Sequence, residues 1–399
     1  MKSMTVGEAR AEFPAAEEGV YANVSVNALV PDRTIQAVQA HIAQRASGDL
    51  VKAEQLEAVE QCRAQFARLV GAEADEIALI KNVSEGINLV AGAMDWRSGD
   101  NVVLCQELEH PSNVFPWHNL ARKWGVEVRS VPQDGGRIPV GRLIRALDDR
   151  TRLVTVPTVG FSPGFRTDIG ELSAACRARG VFLLLDAAQS VGVLHTDVGL
   201  LGADALAVAT QKGLMSFYGT GFLYVRKGAA ETMTPASLGR FGVDFREGGG
   251  ETTLEEDDFR YAPGARRFDG GNYNYLGLTA VSASMTLLEA VGSKVIEAHV
   301  CALAARLAEG MHGLGLPVCG GPAAPDRVHI VTVGEPGAGG HDSAEDPRIQ
   351  SLYDHLTADG VRLSIRRGVL RLSFHVYNND ADVDRILSSA ATWADASSV

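Results

Sequence analysis

Two continuous apolar runs near the middle of the chain each lead into polar residues. The first spans 181–185 and is followed by Asp186, and the second spans 205–209 and is followed, three residues on, by Lys212. Such runs are typical of strands buried on both faces of a parallel sheet. Because ligands bind outside the carboxyl ends of the strands in an open α/β sheet, we expect Asp186 and Lys212 at one rim. The alternative is structural, since lysines close many strands and an aspartate before a loop often forms a turn or caps a helix.

The same pattern places strands and helices along the rest of the chain. Further strands are expected at 76–82, 101–105, 126–131 and 152–159, and at 219–225, where a short connection favours an antiparallel strand. Helices are expected at 34–45, 54–70, 278–291 and 294–314, and late strands at 328–333 and 369–374. This alternation predicts an α/β fold with a large domain around a mostly parallel seven-stranded sheet and a smaller α+β C-terminal domain. We assign 1–20 to an N-terminal arm, 21–275 to the large domain and 276–399 to the small domain, to which the N-terminal segment of the large domain also contributes.

Composition narrows the class of protein. A chain of 399 residues with 46% hydrophobic and 22% charged residues is ordinary for a globular enzyme. The net charge of −12 argues against nucleic-acid binding, and no apolar stretch is long enough to span a bilayer. Five scattered cysteines without a CxxC motif predict reduced thiols, not a metal site or disulfides. With no recognisable secretory signal, we expect a cytoplasmic enzyme with a small-molecule substrate, no metal and no nucleic-acid or membrane partner.

A candidate anion site lies where the strand ending at Asn82 gives way to a helix near Ser84. Free N–H groups and the dipole at a helix start attract anions, Ser84 adds a hydroxyl, and Gly86 allows close approach. The alternative is an ordinary helix capped by Ser84. His110 also follows a strand end, where a flat imidazole can stack on a cofactor ring, although a lone histidine is more often structural.

Asp186 and Lys212 together suit one cofactor. Pyridoxal phosphate needs a lysine for its Schiff base and an acid that keeps the pyridinium nitrogen protonated, so that the ring acts as an electron sink. The order of the motifs also resembles that of the class V aminotransferase family, fold-type I pyridoxal-phosphate enzymes that include cysteine desulfurases, isopenicillin N epimerase-like proteins and C–S lyases. The resemblance covers about residues 20–395. Besides Lys212 it is carried by five segments: Asn82-Val83-Ser84-Glu85-Gly86, the stretch from Glu109 to Trp117, Asp186-Ala187-Ala188-Gln189, Phe268-Asp269-Gly270-Gly271-Asn272 and Leu370-Arg371-Leu372-Ser373-Phe374.

The resemblance implies a role for each segment. Lys212 would form the Schiff base, Asp186 would pair with the ring nitrogen, and His110 would stack on the ring as a third catalytic residue. The residues expected to hold the cofactor are Ser84, Glu85, Gly86, His110, Asp186, Gln189 (at the ring hydroxyl), Thr210, Gln211, Lys212 and Asn272. The segment that ends at Asn272 would reach the partner's phosphate across a homodimer interface.

Substrate binding is assigned to two residues. Arg371 would grip the substrate carboxylate, because a planar guanidinium suits bidentate binding, and Asn27 is expected to contact the substrate as well. The loops at 161–167 and 241–264 are expected to shape the pocket. Arg366 and Arg367 either add anion binding or are plain surface charge.

The chain also departs from the family pattern. Ala209-Thr210-Gln211-Lys212 stands where the family often has Ser-Gly-His-Lys, so that Thr210 or Gln211 would have to replace lost phosphate contacts. The stretch between Arg366 and Arg371 is only four residues long and contains no cysteine. Cysteine desulfurases of this branch carry their sulfur-accepting cysteine there.

The resemblance also implies the first steps of a reaction. An amino-acid substrate would displace Lys212 to form an external aldimine, and the freed lysine would remove the α-proton to give a Cα carbanion. Elimination, epimerisation, transamination and sulfur transfer all begin in this way. Because the loop cysteine is absent, we expect a C–S lyase that acts by β-elimination on an S-substituted cysteine-type substrate, and not a typical cysteine desulfurase. The alternatives are an aminotransferase, an epimerase, or a binding protein that has lost catalysis.

Overall fold

A computed structural model describes residues 3–244, 259–337 and 340–396. The strands, in chain order, are β1 (Val20–Tyr21), β2 (Ile77–Ile80), β3 (Asn101–Leu104), β4 (Glu127–Ser130), β5 (Thr151–Pro157), β6 (Phe182–Asp186), β7 (Ala205–Ala209), β8 (Gly221–Val225), β9 (Val243–Asp244), β10 (Arg260–Tyr261), β11 (Ile330–Val333), β12 (Val361–Arg362), β13 (Ser364–Arg366) and β14 (Val369–Ser373). The α-helices are α1 (Val6–Arg10), α2 (Ala15–Glu18), α3 (Asp32–Ser47), α4 (Lys52–Val70), α5 (Val83–Ala93), α6 (Phe115–Trp124), α7 (Val140–Arg145), α8 (Ile169–Arg179), α9 (Val198–Leu201), α10 (Lys227–Ala230), α11 (Tyr275–Val291), α12 (Ser293–Gly313), α13 (Pro347–Ala358) and α14 (Asp380–Ala396).

The large sheet has the strand order β2-β8-β7-β6-β5-β3-β4. Its neighbouring strands pair in parallel except at β8, which runs antiparallel to both β2 and β7. The prediction of a mostly parallel seven-stranded sheet with an antiparallel strand near 219–225 is therefore confirmed. The predicted strand bounds differ from the observed ones by a few residues, as expected where polar residues extend the apolar run.

Helices cover both faces of this sheet, which explains the continuous apolar runs. Along β6, Leu183 and Leu185 pack into one core and Leu184 into the other, and all three are fully buried. On the first face the rings of Phe66 in α4 and Phe222 in β8 stack with centroids 4.0 Å apart. Successive side chains of the strand point to opposite faces, and both faces are buried. Every position is therefore apolar until the strand ends.

The last third of the chain forms a smaller antiparallel sheet in the order β11-β14-β13. The N-terminal segment joins this part: β1 pairs in parallel with β12, and Asn23 bridges to Ser373. The predicted N-terminal arm contains α1 and α2, and Arg10 of α1 binds the carboxylate of Asp382 at 3.0 Å. The division of the chain at residue 275 stays a prediction. Among the described residues, no helix is both long and apolar enough to cross a membrane.

Candidate active site

A cavity of about 300 Å³ opens at the carboxyl ends of β5, β6 and β7. Its walls come from three parts of the chain: the strand ends of the large sheet, the N-terminal segment at Ser25 and Val26, and the small sheet at Arg366 and Arg371. Lys212 lies in this cavity together with Asp186. The cavity is therefore at the rim that the apolar runs predicted, and it has a size typical of a small-molecule site.

Asp186 is the last residue of β6 and is buried, with one carboxylate oxygen accepting from the N–H of Ala188 at 2.9 Å. Burial raises the pKa of Asp186, and the hydrogen bond from Ala188 and the charge of Lys212 counter that effect. A carboxylate in such a place is stabilised by a cationic partner, because it is costly to hold a bare charge away from water.

Lys212 follows β7 by three residues, and its surroundings make it a better nucleophile. Burial lowers the pKa of Lys212 to about 8, Asp186 opposes the shift, and the positive charges of Arg371 and Arg366 add to it. About a tenth of the amine is thus neutral at pH 7, far more than for an ordinary lysine, and the neutral form is the one that Schiff-base formation and proton abstraction require.

The backbone after Lys212 is held tightly. A Cβ added to Gly213 would lie 2.2 Å from the carbonyl oxygen of Val191, so glycine is needed for this close approach. The carbonyl of Gly213 also accepts a hydrogen bond from Nε2 of His375 at 2.8 Å, and the carbonyl of Lys212 accepts from the N–H of Met215 at 2.9 Å. These contacts fix the backbone at Lys212 and therefore the position from which its side chain enters the cavity.

His110 lines the cavity with a defined tautomer. The N–H of Ser112 donates to its Nδ1 at 3.2 Å, so Nδ1 is the acceptor and Nε2 carries the proton of the neutral ring. The Ser112 hydroxyl lies 3.0 Å from the same nitrogen and accepts in turn from the Ser84 hydroxyl at 2.8 Å. Burial and the charge of Lys212 lower the pKa of His110, which favours the neutral ring.

The start of α5 forms one wall through Asn82, Val83 and Ser84. Asn82 is the N-cap, since its side chain accepts from the N–H of Glu85 at 2.9 Å. The alternative interpretation of this junction, an ordinary helix with Ser84 as its N-cap, is therefore wrong about the cap. Ser84 stays available at the cavity, where the unpaired N–H groups of a helix start favour an anion.

Glu85 and Gly86 do not line the cavity. The Glu85 carboxylate accepts from the backbone N–H of Lys81. A Cβ on Gly86 would lie 2.8 Å from the Ile80 side chain and 3.1 Å from that of Ala207, so this glycine lets α5 pack closely on the sheet. The absence of a side chain at Gly86 thus serves the packing of the helix on the sheet. Contact of Glu85 or Gly86 with a phosphate stays a prediction.

Two of the remaining cofactor candidates line the cavity and one does not. Gln189 lies in the wall, where its Nε2 donates to the carbonyl of Ser25 at 3.1 Å, and Gln211 lies in the wall as well. The Thr210 hydroxyl points into the following turn, 2.6 Å from the carbonyl of Phe217 and 3.0 Å from that of Thr220. Of the two possible replacements for the lost phosphate contacts, only Gln211 therefore reaches the cavity.

The two substrate candidates differ in the same way. Arg371 lines the cavity and is buried, with Nε donating to the Ser364 hydroxyl at 3.2 Å and one terminal nitrogen donating to the carbonyl of Phe161 at 2.6 Å. Burial lowers the pKa of Arg371 to about 9, which marks a cation in need of an anionic partner. Asn27 instead donates to the Tyr21 hydroxyl at 3.1 Å and is not part of the cavity wall.

Asn272 is exposed and lies outside the cavity wall of this chain. The segment before it is anchored by Asp269, whose fully buried carboxylate accepts from Arg63 at 2.8 Å, from the N–H of Leu79 at 2.8 Å and from the hydroxyl of Tyr273 at 2.9 Å. The segment is thus rigidly attached to the large sheet while Asn272 itself faces outward.

Several wall residues carry no sequence signal that singles them out. They are Ser25, Val26, Tyr218 and His341. The predicted pocket loop at 161–167 contributes Phe161, whose ring meets that of His110 edge-on at 5.8 Å. Of the other predicted loop, residues 245–258 lie outside the described part of the chain, and its described residues do not reach the wall.

The residues present fit pyridoxal phosphate. An amine and a buried acid lie at neighbouring strand ends, a helix start supplies anion-binding groups, and a neutral imidazole lines the same cavity. The buried hydroxyl of Ser25 has no hydrogen-bond partner within the described chain, as expected of a group that serves a ligand. No cluster of His, Cys, Asp and Glu suited to a metal ion occurs in the described residues.

Comparison with known proteins agrees with this assignment. Residues 25–386 match the family described as aminotransferase class-V. A probable cysteine desulfurase of Pyrococcus abyssi is 30% identical over 393 residues, which is 95% of each chain. The apo structure of a cysteine desulfurase from Thermococcus onnurineus NA1 superposes with a TM-score of 0.84 at 25% identity and covers 99% of this chain and 100% of its own. A cystine C–S lyase solved with its product cysteine persulfide shares the fold, with a TM-score of 0.81, 22% identity, and coverage of 95% of this chain and 99% of its own.

The fold and the cavity define a pyridoxal-phosphate-dependent enzyme of fold type I. More specifically, the chain belongs to the class V aminotransferase family. The predicted family, fold class and cofactor are thereby confirmed. The roles of individual side chains stay predictions.

Proposed function

We propose that this enzyme is a C–S lyase that acts by β-elimination on an S-substituted cysteine-type amino acid. The observation that carries the proposal is the connection between β13 and β14. It is a two-residue turn, Arg367-Gly368, with φ of +51° and +83°. Two successive residues with positive φ are typical of a tight hairpin turn. Such a turn has no room for a loop that would carry a sulfur-accepting cysteine into the cavity.

The positions of the thiols support the same conclusion. None of Cys62, Cys105, Cys176, Cys301 and Cys319, the five cysteines of the chain, lines the cavity. Burial raises the pKa of every one of them, to about 11 for Cys105 and Cys301 and to about 12 for Cys62 and Cys176. Sulfur transfer needs an accessible thiolate, and a buried thiol with a raised pKa is a poor one. Elimination needs no protein thiol.

The side chains of the cavity suit the early steps of an elimination. Bound pyridoxal phosphate supplies an electron sink for the charge that develops at the substrate Cα. We assign the α-carboxylate to Arg371 and removal of the α-proton to Lys212, whose lowered pKa keeps a neutral amine at hand. Asp186 would hold a positive charge at the ring nitrogen, and His110 would orient the ring. The Cβ–S bond then breaks, and one water is consumed overall as thiol, pyruvate and ammonia are released.

Product analysis tests this proposal. The holoenzyme is incubated with a panel of S-substituted cysteines in the absence of any keto acid, and pyruvate and ammonia are measured. Catalytic release of both in equal amounts supports the lyase, and Lys212→Ala serves as the control without activity. Conversion of the cofactor to its amine form, with a keto acid of the same carbon skeleton as the substrate, would replace the lyase with an aminotransferase. A change of configuration at Cα without other products would replace it with an epimerase.

We also propose a homodimer in which Asn272 reaches the partner's site. Exposed side chains support it: Phe217 and Tyr218 lie in the turn that Asn274 contacts by donating to the carbonyl of Gly219 at 3.2 Å, Leu276 follows Asn274, and exposed apolar groups commonly mark an interface. Tyr218 belongs to the cavity wall as well, which would bring the interface next to the cavity. Sedimentation of the holoenzyme tests the oligomer, and a fully active monomer would rule it out.

A further inference from the structure

Two arginines of the small sheet face the cavity side by side. Arg371 lies on β14 directly opposite Ser364 of β13, and Arg366 is two residues farther along β13. Residues two positions apart on a strand point to the same face, so the two arginines are diagonal neighbours, about 7–8 Å apart at the backbone. Both line the cavity, and both charges act on Lys212.

The two guanidinium groups have different surroundings. Arg371 is buried and braced by Ser364 and Phe161, which suits the fixed binding of an α-carboxylate. Arg366 donates to the carbonyl of Ile365 at 2.7 Å and to the carboxylate of Asp342. The α-carboxylate of a substrate occupies Arg371. Arg366 therefore remains in the cavity to bind another anion.

The present partner of Arg366 is held loosely. The Asp342 side chain is 67% exposed, whereas that of Arg366 is only 17% exposed. An ion pair with one partner in solvent contributes little, so exchanging the Asp342 carboxylate for another anion costs little. Burial also lowers the pKa of Arg366, as expected of a charge that is partly removed from water. His341 lines the same edge of the cavity and can donate to an anion as well.

The next residue makes a useful contrast. Arg367 donates to the carbonyl of Glu107, and its guanidinium lies 5.0 Å over the ring of Phe161. It is not part of the cavity wall. Arg366 and Arg367 thus have the same side chain at adjacent positions, and only the first lines the cavity.

We propose that Arg366 is a specificity-determining residue that binds a second acidic group, so that the preferred substrates are amino acids whose side chain ends in an anionic oxygen group. This inference rests on the proposed function, in which Arg371 takes the α-carboxylate. The side-chain anion displaces Asp342 from Arg366 and lies near His341. The short separation of the two arginines favours a short side chain, and a neutral side chain leaves Asp342 in place.

The test compares acids with their uncharged amides of the same shape. The holoenzyme is titrated with L-glutamate against L-glutamine, and with S-carboxymethyl-L-cysteine against S-carbamoylmethyl-L-cysteine. Binding is followed by the change in absorbance of the bound cofactor. We expect the acid to bind about tenfold or more tightly in at least one pair, as a charge-assisted hydrogen bond provides.

Three variants assign the preference. Arg366→Gln should abolish the advantage of the acid, so that acid and amide bind about equally, whereas the matched control Arg367→Gln should retain the advantage. Asp342→Asn should strengthen binding of the acid alone, because it removes the competing carboxylate. Equal binding of acid and amide in both pairs, or a preference that survives in Arg366→Gln, overturns the inference.

The design separates this inference from the lyase proposal. Glutamate and glutamine carry no sulfur leaving group, so their binding reports charge recognition alone. If the acid preference depends on Arg366 but no cysteine derivative yields pyruvate, the subsite stands and the elimination fails. If pyruvate forms at equal rates from the charged and neutral cysteine derivatives and both bind equally, the elimination stands and the subsite fails.

Discussion

The imidazole of His375 holds the backbone of Gly213, the residue that follows Lys212, through a hydrogen bond of 2.8 Å from Nε2 to the carbonyl oxygen. The N–H of Val376 donates to the other ring nitrogen, so the ring must stay neutral to make both bonds. His375 comes from the segment after β14 and Gly213 from the turn after β7. The bond therefore connects the small sheet to the backbone that carries the lysine.

The burial of His375 predicts an acid-sensitive stability. Burial lowers the pKa of His375 to about 4, although the hydrogen bond to Gly213 opposes the shift, whereas the imidazole of the unfolded chain takes up a proton near pH 6.5. The unfolded state thus binds more protons below pH 6.5, and stability falls as the pH drops from about 6.5 to about 4, by about 3 kcal/mol for this group. Urea titrations of the wild type and of His375→Gln across this range should give a shallower loss for the variant. The control is His312→Gln, at an exposed position in α12, and a slope equal to wild type in His375→Gln would contradict the prediction.

The close approach at Gly213 gives a second prediction. Gly213→Ala would place a Cβ 2.2 Å from the carbonyl oxygen of Val191, which forces the turn after Lys212 to move. Overpacking of this kind costs about 1–3 kcal/mol or more. We expect a lower melting temperature together with weaker retention of the cofactor on dialysis. Gly313→Ala is the matched control, since its Cβ would meet nothing within 4 Å, and it should behave like the wild type.

The charges around Lys212 set the pH at which the apoenzyme takes up its cofactor. Only the neutral amine attacks the aldehyde, so the rate should rise about tenfold per pH unit and level off above about pH 8. Arg371 lowers the pKa of Lys212, and Arg371→Gln should therefore move the midpoint to higher pH. Stopped-flow absorbance at a series of pH values measures it. Arg367→Gln, outside the cavity, should leave the midpoint in place; an unshifted midpoint in Arg371→Gln would exclude this coupling.

The anchor of the Asn272 segment can be tested by comparing two carboxylates that bind one arginine. Arg63 pairs with fully buried Asp269 at 2.8 Å and with half-exposed Glu60 at 3.3 Å. Asp269→Asn should cost about 3–5 kcal/mol, because it leaves a buried charge without its partner. Glu60→Gln should cost less than about 1 kcal/mol, as solvent screens that pair. Free energies of unfolding from urea titration decide this, and equal losses in the two variants would contradict it.

The large sheet could be predicted from the sequence because its central strands are buried on both faces and are therefore continuously apolar. Apolar runs that stop at Asp186 or shortly before Lys212 mark both the strand and its functional end. The same reasoning located His110 and the start of α5. Periodicity also predicted α3, α4, α11 and α12, each within a few residues of its observed ends. The later helices α13 and α14 were not predicted, although their sequences carry apolar residues at helical spacing: Ile349, Leu352 and Leu356 in α13, and Val383, Ile386, Ala390 and Trp393 in α14.

Residues contributed by distant segments could not be predicted in this way. Ser25 lines the cavity because the N-terminal segment pairs with the small sheet, a long-range contact that leaves no local pattern. Asn27, two residues later, is turned toward Tyr21 instead. The distinction between Arg366 and Arg367 likewise depends on the hairpin register, which points one side chain into the cavity and the next out of it. Nothing in the neighbouring sequence indicates which of the two arginines lines the cavity.

The two-residue turn at Arg367-Gly368 also bears on how reactions diversify on this fold. A hairpin tip is where extra residues can be inserted at the smallest thermodynamic cost, since lengthening a closed loop adds little entropy. The tip lies beside the cavity, next to Arg366, whereas Lys212, Asp186 and His110 come from other segments of the chain. In the proposed lyase, the residues that serve the cofactor and the turn that decides whether a protein thiol can accept sulfur would thus lie on separate segments of the chain. Grafting a longer, cysteine-bearing tip onto β13 and β14 would ask whether sulfur acceptance can be added as a module without rebuilding the rest of the enzyme.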